Sequence, residues 1–337
     1  MFKRIVAVLS TAGFLAAALF AGNVFASDGV AGGPNVSAES LVISEPPAAQ
    51  DTVTPESTTS ISIGSAEELA VLTGRWGMER IAVASAWEAV EGFGPTTVAI
   101  LDTGISADAP FADRINGNVD FTGEGLQDEH GHGTHMAGTI AAIAPNASLL
   151  NVKVADRRGR CDTEDVAAGI LWAVNHGAQV INISLEVAAA AELEEAVGQA
   201  WAHGAVVIVA AGNSGTTAPA FPAAYVEALA VAGTNQSDGL AVLSNHGDWV
   251  DIAAPGYKIH AELPGSEFGY ETGTSPAAAH ISGVAALLYG IAHDTSGNGL
   301  VNDEVRDALE RSASPLAVAG TGSGLVNAPD AVAALAA

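Results

Sequence analysis

The sequence predicts an α/β protein: a three-layer α/β/α fold around a mostly parallel, doubly wound sheet. Three observations carry that prediction. Short β-rich runs with both faces apolar recur along the chain, as in TVAIL (97–101) and AVVIVAA (205–211). Longer amphipathic runs separate several of them, and such alternation argues strands covered by helices on each side. Hydrophobic residues make up 49% and charged residues 15% of the 337 residues, enough apolar material for one large core.

The elements follow in chain order. Residues 1–26 read as a secretory signal peptide: Lys3 and Arg4 precede an uncharged apolar stretch that ends in the small-residue pattern Val24-Phe25-Ala26-Ser27. That stretch is also long enough to span a bilayer. The cleavage pattern and the lack of basic residues just after it point to removal instead. Residues 27–74 are rich in Ser, Thr, Pro and acids and contain no Lys or Arg, the composition of a flexible acidic leader or short pro-segment. Its last part, SAEELAVLTG, pairs Ser65 with Glu68 as a capping box and stops at Gly74, which predicts a short helix. One domain is expected over 75–337.

Within it, strands are expected at 97–101, 148–154, 178–184, 205–211, 228–233 and 249–254, with helices at 163–177 and 191–204. Asn302-Asp303-Glu304 reads as a helix start. Cys161 is the only cysteine, so no intramolecular disulfide can form. The formal charge is −26, and removing Lys3 and Arg4 leaves −28. Such a surface repels nucleic acid and anionic lipid and favours solubility.

In open parallel sheets ligands sit beyond the carboxyl ends of the strands. Four polar stations fall at element ends there. Asp102 closes the strand of LDTG (101–104), where a carboxylate can orient a histidine, bind a metal or cap the next segment. HGHGTHMAGT (130–139) holds three histidines. A zinc reading lacks HxxxH spacing, and a helix beginning near Gly133 places His132 at its entrance, with His135 turned into packing. Asn213 in VAAGNSG (209–215) sits on a Gly-flanked loop, as a turn former or as an amide donor to an oxyanion. Ser275 in TGTSPAAAHISG (272–283) suits either a helix cap ahead of Pro276 or a nucleophile at a positive helix end.

The blocks VAILDTGI, HGHGTHMAGTIAA, INISL, VVIVAAGNSG, DIAAPG and GTSPAAAHISGVAALL, in this order, resemble the subtilisin-like serine proteases, the subtilases. GLVNAPDAV near the C-terminus resembles the closing helix of that family. The resemblance implies a secreted serine endopeptidase with Ser275 as nucleophile, His132 as base and Asp102 as its orienting carboxylate. It implies Asn213 and the Ser275 backbone N–H as the oxyanion hole. Ser184, Leu185 and Glu186 would form the edge that aligns substrate, and Ala211 and Gly212 the facing wall. The expected partners are polypeptide substrates, with no nucleic acid and no stable membrane association after signal removal. A monomer is expected.

The chain also departs from the family. Glu186-Val187 replaces the usual Gly-Gly: Glu186 either points to solvent or sits at the pocket, where it would prefer basic or small side chains. No cofactor is required by the motifs. Calcium is the one metal the resemblance raises, but the usual loop site is missing, because HGTHMAGTIAA runs almost directly into IAPNASLLNVKV. The stretch DTSGNGLVNDE (294–304) opens like a calcium loop but has Val305 where the bidentate acid belongs. Pro276 stands where subtilases usually have a non-proline. It is expected at the first helical position, with Ser275 extended ahead of it and the Thr274 hydroxyl as cap. The alternatives are a non-catalytic or impaired peptide-binding subtilase fold, and the acid-active relatives that use Glu and Asp.

Overall fold

Runs that are apolar on both faces need cover on both sides, and the structure supplies it. The computed structural model describes residues 76–89 and 92–336. The signal peptide, the acidic leader and the helix expected at 65–74 lie outside the described residues.

Seven parallel strands form one sheet: β1 (Thr97–Asp102), β2 (Ile115–Asp120), β3 (Ser148–Lys153), β4 (Val180–Ile183), β5 (Val206–Ala210), β6 (Ala228–Thr234) and β7 (Ile252–Pro255). Their spatial order is β2-β3-β1-β4-β5-β6-β7, so the direction of winding reverses at β1. Side chains alternate along each strand. Val98 and Ile100 join one core with Val180, Val206 and Ile208. Ala99 and Leu101 join the opposite core with Ile181, Ile183, Val207 and Val209.

The helices divide in the same way. α1 (Trp76–Arg80) and α2 (Val83–Glu88) precede the sheet, and α3 (His132–Ile143) follows β2. α4 (Thr163–Asn175) and α5 (Ala191–Ala202) present Val166, Ile170, Leu193 and Val197 to the second core. α6 (Thr274–Tyr289), α7 (Asn302–Arg311) and α8 (Ala328–Ala336) pack with α3 on the first. All residues of α6 are buried. A helix apolar all round belongs inside a core, and each large aliphatic side chain buried there contributes about 1.5–3 kcal/mol.

Two elements went unread and two expectations need correction. β2 was not expected, because INGNVD has only two apolar residues; as an edge strand it needs just one half-buried face. A hairpin, β8 (Ile259–Leu263) with β9 (Glu267–Glu271), was also unread. The strand expected at 249–254 begins only at Ile252, because Val250 N–H turns back to Gly247 O. Finally, Pro276 is the third residue of α6 rather than the first, and Ser275 is already helical. The first four N–H groups of a helix have no intrahelical partner, so proline is accommodated there as well.

Candidate active site

Three neighbouring strands end at one place. β1 ends in Asp102, β4 runs into Ser184-Leu185-Glu186, and β5 runs into Ala211-Gly212-Asn213. The N-termini of α3 and α6 bring His132 to Asp102 and Ser275 to Ser184, at strand ends beside the point where the strand order reverses.

The first contact is Asp102 Oδ1 to His132 Nδ1, 2.7 Å, with Asp102 fully buried and His132 7% exposed. The same oxygen accepts the Thr103 N–H at 2.8 Å. A carboxylate on Nδ1 selects, in the neutral ring, the tautomer with the proton there and leaves the lone pair on Nε2. Burial disfavours the charged imidazole, but Asp102 above all, then Glu271 and Asp128, outweigh it and push His132 up to about 10.

Sequence reasoning missed the device that holds His132 in place. Asp128 is buried, and its carboxylate accepts five hydrogen bonds at the start of α3: from the N–H groups of His130, Gly131 and Thr134 and the hydroxyls of Thr103 and Thr134. An acid ahead of a helix start is the signal that could have found it. Gly133 is required by close approach, since a Cβ there would lie 2.1 Å from Gly104 O. The Gly133 N–H also donates to Thr103 Oγ1 at 3.0 Å. His135, as expected, packs inward, with Nε2 3.0 Å from Ile259 O.

α6 is seated differently. Asn213 Oδ1 accepts the Thr274 N–H at 2.8 Å and the Thr274 hydroxyl at 3.2 Å. That hydroxyl in turn accepts the Gly212 N–H at 3.0 Å. Asn213 therefore does the capping expected of Thr274. With its oxygen occupied by Thr274, the amide keeps Nδ2 as its donor group. A Cβ at Gly273 would lie 2.8 Å from Asn213 Oδ1, so glycine lets the helix approach the amide. Asn245, also unread, holds the Asn213 loop by accepting the Ser214 and Thr216 N–H groups and donating to Ala211 O.

The Ser275 hydroxyl makes no helix cap, and no hydrogen bond joins it to His132. It faces Ser184 O at 3.5 Å, while the Ser184 hydroxyl points at Ser275 O from 3.4 Å. Asn182 on β4 links this pair to α6, donating to Ser184 Oγ at 3.2 Å and accepting from Ser282 Oγ at 2.9 Å.

Ser184, Leu185, Ala211 and Gly212 are buried and Glu186 is half-buried. The Glu186 carboxylate turns toward the facing wall: Oε2 lies 2.8 Å from where a Gly212 Cβ would stand. No ion pair reaches it among the described residues, and burial pushes its carboxyl up.

Among the described residues no group of three or more His, Cys, Asp or Glu side chains is placed to hold a metal ion. In the 294–304 stretch, Asp294 is taken up by the Gly297 and Gly299 N–H groups. Glu304 Oε1 is taken up by those of Thr295 and Ser296, and α7 starts at Asn302 as expected. Among the described residues, no helix is long and apolar enough to cross a membrane.

Comparison with known proteins gives the family of the chain. Residues 94–328 match the subtilase family, peptidase S8. The chain is 39% identical over 274 residues to thermitase of Thermoactinomyces vulgaris, covering 77% of this chain and 95% of that protein. It is 39% identical over 267 residues to subtilisin BL of Lederbergia lenta, covering 75% and 96%. It is also 39% identical over 278 residues to alkaline elastase YaB of Bacillus sp. (strain YaB), covering 78% and 71%.

Proposed function

The chain belongs to the subtilase family of serine endopeptidases, and from that premise we propose that Asp102, His132 and Ser275 carry the hydrolysis. The observation that supports this assignment most is the buried 2.7 Å contact between Asp102 and His132 Nδ1, at the strand ends where Asn213 and Ser275 also lie. The Ser275 hydroxyl leaves Ser184 O, turns to His132 Nε2 and attacks the scissile carbonyl carbon while Nε2 takes its proton. The carbonyl oxygen becomes an oxyanion received by Asn213 Nδ2 and the Ser275 N–H; proline at 276 removes neither donor. Collapse expels the amine, which takes the proton from Nε2 and leaves an acyl-enzyme. Water then attacks the ester by the same steps in reverse and restores Ser275. Each proton move passes through Nε2, so the cycle needs no cofactor.

Substrate would lie extended along Ser184-Leu185-Glu186, with the side chain preceding the cut entering between that segment and Ala211-Gly212. The unpaired carboxylate of Glu186 at that slot favours Lys or Arg in the position. The apolar stretch 1–26 would direct secretion of a monomer whose negative charge keeps it off nucleic acid and anionic membranes.

Fluorophosphonate labelling with mass-spectrometric localisation tests the nucleophile. Label is expected on Ser275 alone and on nothing in Ser275→Ala; labelling elsewhere, or none in folded protein at alkaline pH, refutes it. A peptide library read on the same preparations should show a preference for Lys and Arg of about tenfold that disappears in Glu186→Gln. Large aromatic preference in the wild type would refute the role given to Glu186.

A further inference from the structure

β9 ends just ahead of α6, the helix that carries Ser275, and its last side chain approaches the His132 imidazole. In the hairpin Glu271 pairs with Ile259 and Gly269 with Ala261. Ile259 and Ala261 are buried, whereas Phe268 and Tyr270 are 46% and 58% exposed. Side chains alternate along a strand, so Glu271 belongs to the inward face, towards α3. There its Oε2 lies 3.8 Å from His132 Nε2 and 3.9 Å from His135 Nδ1. His135 is tied to Ile259 O by its other nitrogen. No Lys or Arg pairs with Glu271 among the described residues. The Ser275 hydroxyl makes no hydrogen bond to His132 Nε2 and faces Ser184 O instead.

We propose that Glu271 is a positioning residue for the base: a second carboxylate that engages His132 from the Nε2 edge, competes with Ser275 for that nitrogen in the resting enzyme, and sets the pH at which the serine is activated. The proposal rests on reading His132 as the base. An imidazole with a carboxylate at each nitrogen is stabilised as the imidazolium, which cannot accept a proton. The surrounding charges do not cancel this. Asp102 from β1 and Asp128 ahead of α3 act in the same direction as Glu271. His130, ring to ring 6.2 Å from His132, and His135, which shares Glu271 with it, are the neighbouring histidines. Lys153 on β3, in register with Asp102, spends its ammonium on Thr103 O at 2.6 Å. Glu271 is also the most exposed of the three carboxylates, its side chain at 21%, so salt screens its influence while Asp102 and Asp128 remain buried.

The test is an NMR titration of the His132 ring in the full chain, wild type against Glu271→Gln, with His132→Gln to assign the resonance. At low salt the midpoint is expected to fall by about one pH unit, tenfold in proton affinity, in Glu271→Gln. Glu271→Asp should keep part of the wild-type elevation. High salt should move the wild type toward Glu271→Gln and leave the variant nearly unmoved. The acid limb of fluorophosphonate labelling should shift with the titration. Midpoints that coincide within about 0.2 unit, where one unit is 1.36 kcal/mol, overturn the proposal. A shifted titration with no labelling of wild-type Ser275 upholds the Glu271–His132 contact and refutes the catalytic reading instead.

Discussion

The starts of α3 and α6 do the same mechanical job and are built from opposite materials. At α3, which brings His132, the arriving groups are charged: Asp128 accepts five hydrogen bonds there, and Asp102 and Glu271 face the imidazole. At α6, which brings Ser275, the groups within hydrogen-bond reach are neutral: the Asn213 amide, the Thr274 hydroxyl, and Ser184. Both helix starts carry the same partial positive charge. At α3 carboxylates absorb it and go on to stabilise an imidazolium. At α6 it is left uncompensated, where a developing oxyanion can use it. Opposite charges appear on the two sides of one reaction, and each helix start is furnished for its own.

Removing the key acceptor from each start should therefore have different consequences. Asp128→Ala removes a charged acceptor, strands the buried donors that met it and is expected to cost about 3–5 kcal/mol of stability, read from the urea midpoint at unchanged slope. Asn213→Ala is expected to lower kcat by roughly 10²–10³-fold with little change in KM. Its stability loss should stay near 1 kcal/mol, the worth of an ordinary neutral hydrogen bond. Equal stability losses at the two sites would erase the distinction between a structural clamp and a donor kept free.

A smaller effect separates the two starts by pH. His132 is raised above its ordinary 6.5 to about 10. A raised histidine contributes stability that is fully present below the unfolded value and is lost as pH climbs through the folded one. In the proposed mechanism activity has the opposite sign, because only a neutral His132 would accept the serine proton. Hence kcat/KM should rise between neutral and alkaline pH while the stabilisation from this pair declines. A kcat/KM already flat above pH ~6.5, the ordinary histidine value, would contradict it.

Much of this was legible in the sequence, and the reasons are specific. β1, β3, β4, β5 and β6 are buried on both faces, so their apolar runs mark them directly. Asp102, His132, Asn213 and Ser275 stand out as polar residues next to those runs. Asn182 and Asn245 did not stand out, because their role lies in hydrogen bonds to residues distant in sequence, such as Asn182 to Ser282, whereas Asp128 carried a local signal, an acid ahead of a helix start. β2 and the β8–β9 hairpin were hidden by mixed composition, and with the hairpin went Glu271. Ser275-Pro276 misled for a local reason: proline at the first helical position is the commoner pattern, whereas here the Thr274 N–H bonded to Asn213 starts the helix one residue before Ser275.

The central claim is that Asp102, His132 and Ser275 act as one unit rather than as three separate aids to catalysis. Peptide hydrolysis by Ser275→Ala, His132→Ala and the variant lacking all three side chains measures this most directly. Each single variant is expected to lose on the order of 10⁶-fold in kcat, about as much as the triple variant. Losses that multiply from the single variants to the triple would contradict the account.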